Sequence, residues 1–193
     1  MNSFYSRDEL ISLGFSKIGE NVLISKKSSI YGANNIAIGN NVRIDDFCIL
    51  SGKIDIGDYI HISAYTGLFA GSEGIEIKDF ATISSRCCLY AISDDYSGVT
   101  MTNPMISDEY RKIYGGKVVI NKHAIIGSGC TVLPNVDIGE GAAVGAMSLV
   151  TKDLEAWNIF AGIPVRKLKE RKKDILSLEQ QMISDIQKEK NDD

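Results

Sequence analysis

Aliphatic side chains recur along this sequence at every sixth residue, a spacing that belongs neither to a helix nor to one long strand. Ile18, Ile24, Ile30 and Ile36 make a first run, and after a slip of two positions Ile38, Ile44, Leu50, Ile56, Ile62 and Leu68 make a second. After a slip of three come Ile77, Ile83 and Leu89; beyond an interruption the series resumes as Ile120, Ile126, Val132, Ile138, Val144 and Val150. If about one residue in four were Ile, Leu or Val, a run of six at fixed spacing would arise by chance about once in 4,000 trials. The repeat therefore belongs to the fold, and its simplest unit is a very short strand, a bend and another short strand.

Four places after each aliphatic residue stands a mostly small or β-branched one, as at Val42, Cys48, Thr66, Ala81, Cys87, Ala124, Cys130 and Ala142. This position lies two residues before the next aliphatic, so both point to one strand face, the inside of a coil. Cys48, Cys87 and Cys130 are thereby read as core fillers rather than reactive thiols; Cys88 falls just outside the pattern. Gly and Asn often follow the aliphatic residue, as in Ile38-Gly39-Asn40-Asn41 and Ile138-Gly139-Glu140-Gly141, and suit sharp corners. Three hexads close a triangular turn, and stacked turns pair each strand with its equivalents above and below. The expected fold is all-β: a parallel β-helix of hexapeptide repeats with a short N-terminal helix, a long loop and a C-terminal α-helix.

A single domain spanning residues 1–193 is expected, with coils over 16–93 and 117–165. Residues 1–15 form a cap in which Ser6 and Glu9 have capping-box spacing and Leu10, Ile11 and Leu13 cover the first turn. Residues 94–116 form an inserted loop, long enough to suggest function and carrying three tyrosines and an Arg-Lys pair. Residues 166–193 are assigned to a C-terminal helix whose Ile175, Leu178, Met182 and Ile186 share one face. Six cations lie between Arg166 and Lys173, opposed only by Glu170. They are a candidate seat for a phosphorylated ligand, although Lys169 to Lys173 fit better the solvated first turns of that helix.

Composition narrows the partners. A net charge of −4 removes the basic excess expected of a nucleic-acid binder. No apolar stretch approaches the roughly 20 residues of a spanning helix, and the first ten residues lack a secretory pattern, so no membrane association and a cytoplasmic location are expected. Two histidines are too few for a three-histidine metal site, so no metal is expected.

Several motifs then coincide: Ile126-Gly127-Ser128-Gly129, the run Ile138 to Ala146, Val150-Thr151-Lys152-Asp153 and Ala161-Gly162-Ile163-Pro164-Val165-Arg166. With the hexad repeat, they resemble the hexapeptide-repeat acyltransferases that use coenzyme A thioesters, including the maltose, galactoside and xenobiotic acetyltransferases. The resemblance implies a left-handed coil, and a homotrimer with cofactor sites in grooves between adjacent subunits. Acetyl-CoA or another short acyl-CoA would be the co-substrate. Backbone groups around Ser128 and Ala146 would hold the pantetheine arm; Thr151, Lys152 and Arg166 would approach the phosphorylated end, with Pro164 near the adenine and Lys167 a further candidate.

One departure from that family bears on the reaction. The O-acetyltransferases carry a His-Pro element at the start of the long loop, whereas this chain reads Ala91-Ile92-Ser93-Asp94-Asp95-Tyr96, which puts Asp94 in the histidine's place. A sugar hydroxyl benefits from a base with a pKa near about 7, and an ordinary aspartate at about 3.9 serves poorly; an amine, once neutral, asks only to be oriented. N-acylation is therefore preferred. The loop further resembles that of enzymes acylating a nucleotide-linked amino-dideoxy sugar for surface polysaccharide such as lipopolysaccharide. There Ser84 would assist by hydrogen bonding, Arg86 would face a diphosphate and Asp95 would shape the loop or touch substrate. The alternatives are a sugar O-acetyltransferase with His61 as base and a non-catalytic scaffold; His123 is a weaker candidate for touching the cofactor.

Overall fold

A computed structural model describes residues 3–192; Met1, Asn2 and Asp193, included above in the cap and terminal helix, lie outside the described residues. The chain winds into a parallel β-solenoid of about seven turns. One face stacks Lys17–Ile18, Ile36–Ile38, the ends of Ile49–Ile56 and Gly67–Ile77, Val118–Ile120 and Asp137–Ile138. The second stacks Val22–Ile24, Val42–Ile44, Ile60–Ile62, Thr82–Ile83, Ile125–Ile126, Ala143–Val144 and Asn158–Gly162. The third stacks Ser29–Tyr31, the starts of the two long strands, Cys88–Tyr90, Thr131–Val132 and Leu149–Val150.

Register follows the hexads. Ile38 stands beside Ile56, Ile56 beside Ile77, Ile77 beside Ile120 and Ile120 beside Ile138, and all five are buried. The slip of two is a 3-10 turn, Ala33–Asn35, entered through Gly32 at φ 72°. The slip of three is taken up inside Gly67–Ile77, where Gly71 and Gly74 both have positive φ. At Gly127 a Cβ would come within 2.6 Å of the Ala146 backbone nitrogen, so the coils stack there only because the side chain is missing.

Cys48, Cys87 and Cys130 are buried, and each thiol donates to a backbone carbonyl: Ser63, Gly127 and Gly145 respectively. Burial pushes the Cys48 thiol up to about 11, and the Cys130 contact together with burial pushes Cys87 up as well. Cys48 and Cys87 are thereby hard to ionise; Cys130, which the Cys87 hydrogen bond pulls down, is fully buried and packs with them in the core.

The N-terminal helix α1, Arg7–Ser12, begins with the expected Ser6/Glu9 capping box and buries Leu10, while Ile11 turns out to solvent. The C-terminal assignment needs correction. Val165–Glu170 is a strand, antiparallel to Asn158–Gly162, and the terminal helix α2 runs over Ile175–Asp192. The ladder from Asn158 to Gly162 would otherwise end as an open edge, and pairing with the returning chain satisfies its backbone before any helix can start. Leu178 and Met182 of the predicted apolar stripe remain exposed, whereas Ile175 and Ile186 are partly covered. The inserted loop is also shorter than expected: Ile92–Asp94 pairs with Ile113–Gly115, leaving residues 95–112 as the loop proper.

Candidate active site

Two grooves flank the coil. The larger, of about 730 Å³, is lined by Phe69, Tyr90, Ile92, Ser93, Asp94, Tyr96, Pro104, Arg111, Ile113, Thr131, Leu133 and Pro134. Phe69, Tyr90 and Leu133 each follow an inward aliphatic, Leu68, Leu89 or Val132, whose strands lie side by side. Alternation along a strand therefore sends all three outward, one above another. The rings of Phe69 and Tyr90 stack at 5.0 Å, and burial pushes the Tyr90 phenol up. The paired strands bearing Asp94 and Ile113 rise at the side of this apolar floor. Arg111 reaches the groove from the loop, its guanidinium held by Asp108 at 2.6 and 2.8 Å.

Asp95 faces a different task. Its carboxylate accepts from the backbone N–H and hydroxyl of Ser97 and from both corresponding groups of Thr100, at 2.6 to 3.1 Å. These donors hold its carboxyl well below the usual carboxylate range. Asp95 thus knots the start of the loop and leaves the groove to its neighbour.

His61, the alternative base, is absent from the groove lining; its Nε2 lies 2.8 Å from Asp45, whose other oxygen takes Arg43 at 2.7 Å. Burial works against ionised Asp45, but the Arg43 and His61 hydrogen bonds outweigh it and hold its carboxyl low. His123 is buried, with Nε2 2.7 Å from Glu179 of α2, and is a tether for that helix.

Ser84 and Arg86 do not line the Asp94 groove within one chain. They lie on the corner that also carries Ser128 and Ala146: Gly129 N–H donates to Ser85 O at 2.9 Å and Met147 N–H to Ser128 O at 2.8 Å. Arg86 projects outward with its cation 5.9 Å from the Tyr65 ring centre. Ser128 and Ala146 are exposed on this edge, as an arm of amides lying along it would require.

The second groove, about 340 Å³, gathers Lys152, Arg166 and Lys167 with Asp153, Leu154, Glu155, Phe160 and Val165. Lys167 pairs with Glu155 at 3.1 Å, while no ion pair among the described residues involves Lys152 or Arg166. Thr151 and Pro164 are exposed at its margins, outside the lining, with Pro164 following a cis peptide at the hairpin turn. Sequence reasoning missed Phe69, Tyr90 and Arg111. The first two were available from the hexad register; Arg111 depends on how the loop folds back and gave no signal.

A stacked coil of six-residue units, with a carboxylate groove on one side and a cationic groove on another, defines a hexapeptide-repeat transferase. Residues 117–152 match the model for the bacterial transferase hexapeptide (six repeats). More particularly, the chain is 51% identical over 174 residues to the dTDP-4-amino-4,6-dideoxy-D-glucose acyltransferase of Escherichia coli, covering 89% of this chain and 90% of that one. It belongs to the hexapeptide-repeat acyltransferase family. The crystal structure of AntD, an N-acyltransferase from Bacillus cereus in complex with dTDP and 3-hydroxybutyryl-CoA, superposes with a TM-score of 0.94 at 55% identity, covering 97% of this chain and all of that one. The galactoside O-acetyltransferase of Escherichia coli K12 is more distant, 25% identical over 174 residues, covering 85% of this chain and 68% of its own.

Proposed function

We propose that the protein transfers a short acyl group from acyl-CoA to the amine of a dTDP-linked 4-amino-4,6-dideoxy sugar. The observation that carries this reading is Asp94, a carboxylate and not a histidine, at the side of a groove floored by stacked aromatic rings. Likeness over nearly the whole chain to two enzymes of that activity supports it. Variants of AntD altered at an aspartate or at a serine have been solved with coenzyme A and dTDP or a dTDP-amino sugar. These are the residue types assigned here to Asp94 and Ser84.

In the proposed reaction the neutral amine attacks the thioester carbonyl, the new C–N bond forms, and the C–S bond breaks as the tetrahedral intermediate collapses. The proton lost from nitrogen goes to Asp94 or water and finally to the departing sulfur. Asp94 orients the amine and favours its developing positive charge, an electrostatic role that needs no base tuned to neutrality. Ser84 hydrogen-bonds the acceptor, and Arg86 approaches the diphosphate. Because Ser84 and Arg86 lie outside the Asp94 groove of their own chain, we assign the complete site to the cleft between subunits of a homotrimer. Ser128 and Ala146 hold the pantetheine arm; Lys152, Arg166 and Lys167 hold the phosphates, with Thr151 and Pro164 beside them. The product would enter surface polysaccharide synthesis, and the enzyme would act in the cytoplasm.

The direct experiment is to offer acetyl-CoA or 3-hydroxybutyryl-CoA with dTDP-4-amino-4,6-dideoxyglucose and, separately, with its 4-hydroxyl analogue. Acylation of the amine supports the proposal. Turnover of the hydroxyl compound alone replaces it with the O-acyl reading.

A further inference from the structure

The strand that carries Arg166 and Lys167 is an edge strand. It pairs with Asn158–Gly162 on one side only, and that pairing is interrupted by a register shift between Ile159 and Phe160. Two exposed cations on such a strand would be placed poorly if the ladder alone held it. The hairpin is nevertheless fastened at both ends by residues outside the groove.

At the turn, Gly162 N–H donates to the Ser148 hydroxyl at 3.1 Å, and the same hydroxyl donates to Gly145 O at 2.7 Å. Ser148 is buried in the coil, so the turn is hung from the core rather than from solvent-facing groups. At the open end, Arg171 N–H donates to Trp157 O at 2.8 Å, and its guanidinium donates to two further carbonyls, His123 O at 2.8 Å and Gly141 O at 3.0 Å. His123, Gly141 and Trp157 all have positive φ and stack at one corner, with the Trp157 ring lying over Gly141 where a Cβ would come within 2.5 Å of it. One planar cation thus closes the corner of successive coils. Sequence pattern reads Arg171 as part of the solvated start of the terminal helix, but the structure turns its guanidinium onto the coil corner, where burial lowers its pKa. Glu179, bridging Lys122 at 2.6 Å and His123 at 2.7 Å, closes the same strap from α2.

We infer that Arg171 and Ser148 are positioning residues of the cofactor hairpin, holding Arg166 and Lys167 where the phosphorylated end of coenzyme A is bound. This rests on the assignment of the cationic groove to that end of the cofactor. Neither residue lines the groove, so both act through the strand they pin.

The test uses the full chain with Arg171→Ala, Arg171→Lys and Ser148→Ala, each assayed with acetyl-CoA and with S-acetylpantetheine, which lacks the nucleotide end. Expected for Arg171→Ala is an increase of about tenfold in KM for acetyl-CoA. Its kcat and the KM for the amino sugar should stay unchanged, with no difference from wild type when S-acetylpantetheine is the donor. Arg171→Lys, which keeps the charge but not the planar guanidinium, should fall between, and Ser148→Ala should show the same dependence on the acyl donor. Titration with coenzyme A should give the same ranking, with melting temperatures confirming folded protein. An equal loss with both donors, a loss confined to kcat, unchanged kinetics, or unfolding of all three variants would overturn the inference. If wild type used both donors with equal KM, the groove assignment would fail instead, whatever Arg171 does.

Discussion

His61 and Asp45 sit on adjacent coils with the imidazole Nε2 2.8 Å from a carboxylate oxygen, and Arg43 occupies the other oxygen of the same carboxylate. With Asp94 assigned to the reaction as proposed, a histidine held in this way serves as a corner strut whose loss affects a partly exposed contact. We expect His61→Gln to change turnover by no more than about threefold, since exposed ion pairs contribute little. A general base would lose about a hundredfold or more. Steady-state kinetics on the amine substrate separates the two.

Asp94 should behave in the opposite way. Asp94→Asn keeps the shape of the groove and the pairing of Ile92–Asp94 with Ile113–Gly115, so the coil and coenzyme A affinity should be unchanged. Turnover should drop about a hundredfold or more. Normal turnover in the folded variant removes Asp94 from the mechanism.

Arg166→Ala should weaken coenzyme A binding by about tenfold, because an exposed cation facing phosphate contributes through a charge-assisted contact open to screening. The same substitution should flatten the dependence of affinity on ionic strength. Titrations of wild type and variant at low and high salt would reveal both effects; equal salt slopes would contradict the assignment.

Asp95 makes the loop sensitive to acid. Its carboxyl titrates lower in the folded protein than in the unfolded chain, so the unfolded chain takes up the proton first. The stabilisation is complete at neutral pH and is lost as the pH falls below about 4, the ordinary aspartate range. Asp95→Ala should therefore raise proteolytic nicking within residues 95–112 at pH 7, and the difference from wild type should shrink towards pH 3. A pH-independent difference would mean that the Ser97 and Thr100 bonds do not govern the loop.

Much of the scaffold was legible because the coil is periodic. Each turn repeats the same local contest between an inward aliphatic, a small filler and a corner, and Ile38, Ile56, Ile120 and Ile138 fell into register as their spacing required. The same register places Phe69 beside Tyr90. The Ser6/Glu9 capping box was equally readable, since it needs only neighbours in the chain.

Between the last coil and the terminal helix, local pattern is no guide. The charge of residues 166–170 and the apolar stripe that follows read as one helix, but the strand Asn158–Gly162 offers open hydrogen bonds that no window of sequence displays. Arg171 lay hidden for the same reason: its acceptors belong to His123 and Gly141, tens of residues away, and only the stacked corner brings them within reach of one guanidinium. Thus the sequence determined the coil, its core and the absence of a histidine from the long loop, because those depend on repetition and residue type. Tertiary structure alone decided which cations stand together, which are tied down and which corner faces which groove. Those outcomes depend on long-range closure of backbone and charge.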